Sequence, residues 1–429
     1  MKPRLGLWSA TAISVGATIG AGIFVVIGLV AGYAGSALVV SMVLAGVIAL
    51  ITASSFSELA AWKPVEGSIY QYTRMLISPF AGFLTGWMWM VSNTFGGATV
   101  ALGFAYYLGA AFPGLPTNVV AAVVCLGFTA VNFVGIRQSA WLNNALVAVN
   151  LIILTFFVIV GFANLKTANF LPFSPLSGGV FYGAFLIFFA YGGFARVAVI
   201  AEEVKDAKRT VPRAIMLSLA ISMAVYVLVG VAAVGLVGSQ VLADSKSPLS
   251  AAIAASSFPL AIQIVLFGGL VATAGVLLTS VLGVSRVAFS MAREGDMPHK
   301  MCTVHGRFGT PYYAIWIAGG VMTLMALFVD LTYVAAVSTF ALLFYYTLAN
   351  TCALRLKVEK RLFPKVLPAL GLAFCLALLA VVAFANTQAW LFGIACLAVG
   401  AGVYAAKRHF QPKACVAEPE KLKKPKVLD

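Results

Sequence analysis

Long apolar runs follow one another through this chain of 429 residues, separated only by short polar breaks. Twelve can be marked, at 9–33, 37–60, 81–111, 117–135, 143–163, 179–201, 213–237, 260–285, 312–330, 332–353, 367–386 and 389–406. About 20 apolar residues in a helix cross the ~30 Å hydrocarbon core of a bilayer. No water satisfies backbone N–H and C=O groups there, so a spanning segment must be a helix or part of a closed barrel. Runs of this length without strand-like alternation read as helices. Composition agrees: 62% of residues are hydrophobic and only 10% are charged, too few to coat a soluble protein of this size. The expected fold is an all-α integral membrane protein with 12 transmembrane helices and no soluble domain.

Basic residues set the expected orientation. With residues 1–8 as a cytoplasmic N-terminus, all but three of the 28 Lys and Arg fall in inner segments. Lys166 and Lys246 fall outside, and Arg196 lies within the sixth run. Both termini are then cytoplasmic, in the cell membrane. The net charge of +15 faces the anionic inner leaflet, so no nucleic-acid partner is needed to account for it.

Two of the runs carry a weakness at mid-depth. Gly20 and Gly22 interrupt the first, and Gly192 and Gly193 the sixth. Matched breaks five spans apart mark transporters built as inverted repeats, whose site is made of unwound backbone. Residues 9–163 and 179–353 would be the two repeats, five helices each. Residues 367–406 would add two further helices, and 407–429 a basic tail. A broken helix exposes N–H groups suited to a carboxylate and carbonyls suited to an ammonium. An α-amino acid presents both charges a few ångströms apart. Glycine also lets membrane helices pack closely, and Gly16 and Gly20 fit that pattern as well.

The run Gly16-Ala-Thr-Ile-Gly-Ala-Gly-Ile-Phe24 resembles the first-helix signature of the amino acid–polyamine–organocation (APC) superfamily. So do Ser57-Glu-Leu, Phe188-Phe-Ala-Tyr-Gly-Gly-Phe194 and Ala201-Glu-Glu-Val-Lys-Asp-Ala-Lys-Arg-Thr-Val-Pro-Arg-Ala214. Ser285-Arg-Val-Ala-Phe-Ser-Met-Ala-Arg-Glu-Gly-Asp-Met-Pro298 and Arg307-Phe-Gly-Thr-Pro311 complete a set in the right order. The resemblance implies the five-plus-five repeat of the leucine-transporter fold and amino acid transport by alternating access. It also implies a substrate segment at Thr18, Ile19, Gly20, Ala21 and Gly22, and an aromatic gate at Phe189 beside Tyr191, Gly192 and Gly193. Gly97 and Ser280 would face the cavity. Thr279 and the inner-loop Glu202 would belong to the coupling and gating elements.

Two residues depart from the pattern. Relatives carry a lysine in the fifth span after a paired asparagine, as a proton-operated stand-in for sodium. Here Asn143-Asn144-Ala-Leu-Val-Ala-Val leads to Asn150, which carries no charge to titrate. Asn150 could hydrogen-bond the first helix, line a sodium site or mark an exchanger. Arg196, four residues past Gly192, is an intramembrane charge and so a functional candidate by default. The alternative is an arginine reaching the interface or pairing with Glu202.

None of the 13 acidic residues falls mid-membrane in spans one, three, six, eight or ten. A site for lysine, arginine or polyamines would be expected to offer a buried carboxylate. Neutral amino acids are the expected substrates, with anionic ones admitted through Arg196. No phosphate-binding loop is present, so energy would come from a proton or sodium gradient or from exchange. No catalytic set appears within the spans, and no cofactor is expected. His299, Cys302 and His305 are read as a solvated inner loop rather than a metal site. An amino acid sensor that binds without transporting remains the alternative class.

Overall fold

A computed structural model describes residues 5–20, 22–64, 68–135, 140–199 and 204–410. Ala21, Glu202 and the tail beyond 410, all named above, lie outside the described residues. The helices in chain order are α1 (Leu7–Thr18), α2 (Ile27–Ala34), α3 (Leu38–Trp62), α4 (Ile69–Leu76) and α5 (Pro79–Ala111). Next come α6 (Thr117–Val134), α7 (Ala140–Ala163), α8 (Gly178–Phe188), α9 (Arg196–Val199), α10 (Ala207–Asp244) and α11 (Pro248–Ile253). The chain ends with α12 (Ala261–Arg293), α13 (Tyr312–Phe328), α14 (Leu331–Arg355), α15 (Val366–Ala385) and α16 (Thr387–Phe410). Among the described residues, nine helical stretches are long and apolar enough to cross a membrane.

Both glycine pairs sit where regular α-helix stops. α1 ends at Thr18, and Ile19 is extended, with φ −78° and ψ 97°. A wide turn with π-helical bonding follows at Gly22–Val26 and leads into α2. The second site differs from expectation. Between α8 and α9 the chain does not unwind but tightens into a 3₁₀-helix at Phe189–Ala195. A 3₁₀ turn keeps i→i+3 hydrogen bonds, so most peptide groups remain paired while the helix narrows. That narrowing suits a crowded crossing: a Cβ at Gly193 would lie 2.2 Å from the carbonyl carbon of Ala17.

α5 and α12 pack along one another, as do α10 and α3, with α14 laid against α5. These long helices surround the two interrupted ones. α15 and α16 lie at the periphery, and Phe384 and Leu391 there are among the exposed large apolar side chains. In a membrane-spanning bundle such faces meet lipid, since hydrocarbon imposes no penalty on them.

One ionic cluster ties three elements together at the face where α1 begins. Asp296, just past α12, is 2% exposed. It accepts from the Tyr70 hydroxyl at 2.5 Å and from Arg74 Nη1 at 2.8 Å, both on α4. Lys407 on α16 pairs with its other oxygen. Burial and the adjacent carboxylate push the Tyr70 hydroxyl well above its ordinary pKa, so it stays a donor. Glu294 stands 3.8 Å from Arg74 and is half-exposed. Removing one partner of a buried pair leaves the other uncompensated, whereas exposed pairs contribute little. Asp296→Ala should therefore lower unfolding stability in detergent by about 3 kcal/mol. Glu294→Ala should change it by less than about 0.5 kcal/mol in the same measurement.

Candidate functional site

A cavity of about 630 Å³, open mouth included, lies between the two interrupted helices and the faces of α5, α12 and α14. Of the residues singled out from the sequence, Thr18, Gly20, Gly22, Phe189, Gly192, Gly193, Arg196 and Ser280 line it. The lining does not include Ile19, Gly97, Tyr191, Thr279 or Asn150. Ile19 is buried in the core at 2% exposure. Gly97 faces α13, where a Cβ would meet Met322 Sδ at 2.7 Å. Its neighbour Gly96 lines the cavity instead, and a Cβ there would meet the Phe189 ring at 3.0 Å. A one-residue step turns a helical side chain by about 100°, enough to change which neighbour it meets.

The breaks bring backbone against backbone. A Cβ on Gly22 would stand 2.2 Å from Ala190 Cβ, and one on Gly20 would stand 2.3 Å from Val276 Cγ2. Carbonyls next to the interruptions are met by side-chain hydroxyls from surrounding helices. Tyr226 on α10 shares its hydroxyl proton between Thr18 O at 2.6 Å and Ala190 O at 3.0 Å. Tyr346 on α14 donates to Gly192 O at 3.2 Å, and Ser14 donates to Phe194 O at 3.2 Å. Tyr107 on α5 donates to Phe24 O at 2.7 Å. Tyr191 is fully buried and donates to Met42 O at 3.0 Å, holding the 3₁₀ segment to α3.

Most polar side chains in the cavity are already committed. Thr18 Oγ1 donates to Ser14 O at 2.7 Å, and Ser280 Oγ to Val276 O at 2.8 Å. Ser92 and Ser338 exchange hydroxyl-to-carbonyl bonds across the α5–α14 contact, at 2.9 and 2.7 Å. Their lone pairs still face inward as acceptors. Arg196, at the start of α9, reaches across to two other helices. Its Nη1 donates to Thr279 O on α12 at 2.6 Å, and its Nη2 to Asn93 Oδ1 on α5 at 3.2 Å. Among the described residues Arg196 is the one charged residue in the lining. Asn150, on α7, is 6% exposed, and its Oδ1 has no hydrogen-bond partner among the described residues.

Sequence reasoning missed Trp89, Ser92, Asn93 and Ser338 as cavity residues. The adjacent polar pair Ser92-Asn93 within the apolar α5 was the available signal. Tyr226 and Tyr346 were missed as well, because an aromatic residue in a membrane run looks like any other.

Two substitutions test the geometry. Gly193→Ala should disrupt the crossing, because the added methyl meets backbone that cannot rotate away. Loss of a folded monodisperse peak, or a fall of more than about 2 kcal/mol in stability, is the expected reading. Tyr226→Phe removes the donor to two buried carbonyls and should cost about 1–3 kcal/mol in detergent unfolding.

With this geometry in view, comparison with known proteins is specific. The amino acid permease family model matches residues 5–404. An uncharacterized transporter of Mycobacterium tuberculosis is 37% identical over 417 residues, covering 96% of this chain and 93% of its own. A branched-chain amino acid permease of Bacillus subtilis is 29% identical, covering 88% of each chain. A vacuolar cationic amino acid transporter of Arabidopsis thaliana is 30% identical over 81% of this chain and 58% of its own. A match over nearly the whole chain, to relatives that are themselves permeases, makes this protein a member of the amino acid permease family, within the APC superfamily.

Proposed function

We propose that this protein is a secondary amino acid carrier of the cytoplasmic membrane that works by alternating access. In this reading twelve spans are arranged as a five-plus-five inverted repeat, 9–163 and 179–353, followed by two peripheral helices at 367–406. The N-terminus and the tail 407–429 lie in the cytoplasm. The α-amino and α-carboxylate groups of the substrate sit at the interruptions around Gly20–Gly22 and Gly192–Gly193, with Phe189 closing over them. One observation carries this reading: a cavity lies where two helices are interrupted side by side.

The polar inventory supports substrates whose side chain carries no positive charge, neutral or anionic. Among the described residues no Asp or Glu is in the lining, so none of them offers a distal ammonium its counter-charge. Energy would come from a proton or sodium gradient, or from exchange. Asn150 is the proposed coupling position, because its amide oxygen is buried and has no partner among the described residues.

Purified protein in liposomes should exchange internal amino acid for labelled external amino acid in a counterflow assay. Saturable binding without counterflow would instead identify a sensor. Asn150→Lys introduces a titratable group whose pKa burial would lower toward neutrality. Initial uptake rates measured between about pH 5 and 9 should gain a pH dependence in that variant. An unchanged profile would remove Asn150 from the coupling site.

A further inference from the structure

Arg196 is a cation at the wall of a cavity within a membrane bundle, and the described residues place no carboxylate against it. Among the described residues, no carboxylate lies within 4.0 Å of it. Its two hydrogen-bond acceptors, Thr279 O and Asn93 Oδ1, are both neutral. A guanidinium carries five N–H donors in a fixed fork, and acceptors among the described residues engage two of them. A positive charge held this way leaves its full unit of charge acting on the cavity. Uncompensated charge within a membrane bundle is expensive and persists where it faces a pathway or a ligand that brings the opposite sign. Planar guanidinium groups pair best with carboxylates, which they engage through two parallel hydrogen bonds.

Position along the helix sets what can reach it. Arg196 lies one turn beyond Gly192, about 6–8 Å along the axis. A substrate anchored by its α-groups at the interruptions would extend its side chain toward this charge. The polar residues on that path, Ser92, Asn93 and Ser280, suit a polar rather than a branched aliphatic side chain.

Building on the carrier reading above, we propose that Arg196 is the specificity residue of this cavity and that its preferred substrates are amino acids with a second, side-chain carboxylate. The same charge excludes lysine and arginine. A unit charge several ångströms away in a protein of intermediate dielectric alters affinity by tenfold or more in either direction. A carboxylate arriving at the guanidinium would also compete with Thr279 O and Asn93 Oδ1. Occupancy would thereby loosen the contacts that Arg196 makes from α9 to α12 and α5.

The test uses the full chain in liposomes, with labelled aspartate, glutamate, alanine, leucine and lysine as separate probes. Wild-type protein should take up aspartate or glutamate at least about tenfold more efficiently than alanine or leucine, and lysine least of all. Arg196→Gln should collapse the acidic-to-neutral ratio by about tenfold or more. Arg196→Lys, which keeps the charge, should retain part of it. Asn93→Asp leaves Arg196 in place but gives it a carboxylate partner, and should collapse the ratio in the same way. That second variant decides the matter if Arg196→Gln fails to fold. Neutral uptake by wild type without acidic preference would overturn the anion site and leave the carrier reading standing. Equal losses for acidic and neutral substrates in Arg196→Gln would also overturn it, because Arg196 would then serve the α-carboxylate. Movement of no amino acid at all would overturn both readings.

Discussion

A single tyrosine hydroxyl, that of Tyr226, stands between the two carbonyls on which the cavity depends. It reaches Thr18 O, at the end of α1, and Ala190 O, within the 3₁₀ segment. An interrupted helix in hydrocarbon must find partners for the peptide groups it frees, or the interruption closes up. Tyr226, Tyr346, Tyr107 and Ser14 provide those partners from neighbouring elements. The breaks are therefore properties of the surrounding bundle as much as of the glycines. Glycine permits the close approach, and the tyrosines stabilise what it permits.

The arrangement explains why the cavity walls are so apolar in side-chain terms. Small residues admit backbone to backbone, and the hydroxyls of Thr18 and Ser280 are turned back onto their own helices. Peptide groups and one guanidinium remain as the strong polar features. In the carrier proposed above, such a site would recognise the common part of an amino acid through its backbone and leave discrimination to few side chains. Asn93 and Arg196, bonded to one another across α5 and α9, are placed for that second task.

Away from the cavity, the Asp296 cluster shows the opposite strategy. A carboxylate with almost no solvent exposure is surrounded by three donors from two other elements, α4 and α16. Full satisfaction makes such a group tolerable where a lone charge would not be. It anchors the last helix to the bundle at the face where the chain begins. Among the described residues Arg196 has no carboxylate beside it, unlike Arg74 and Lys407, and that contrast singles it out.

Apolar run length and the scarcity of charge were enough to imply a helical membrane bundle, because hydrocarbon leaves a chain few other ways to pair its backbone. The glycine pairs located both interruptions for the same reason: a residue without Cβ is needed where helices cross in backbone contact. The form of each interruption was not legible. Whether Phe189–Ala195 would unwind or tighten depended on Ala17, Thr18 and Tyr346, which lie far away in the chain. Helical phase likewise hid the choice of Gly96 over Gly97, since either residue looks equally small in sequence. Arg196 was visible as an intramembrane charge, but its neutral partners on α5 and α12 came only from the fold. Local composition dictates what a segment can be in lipid, whereas the partners of a buried polar group are chosen by three-dimensional packing.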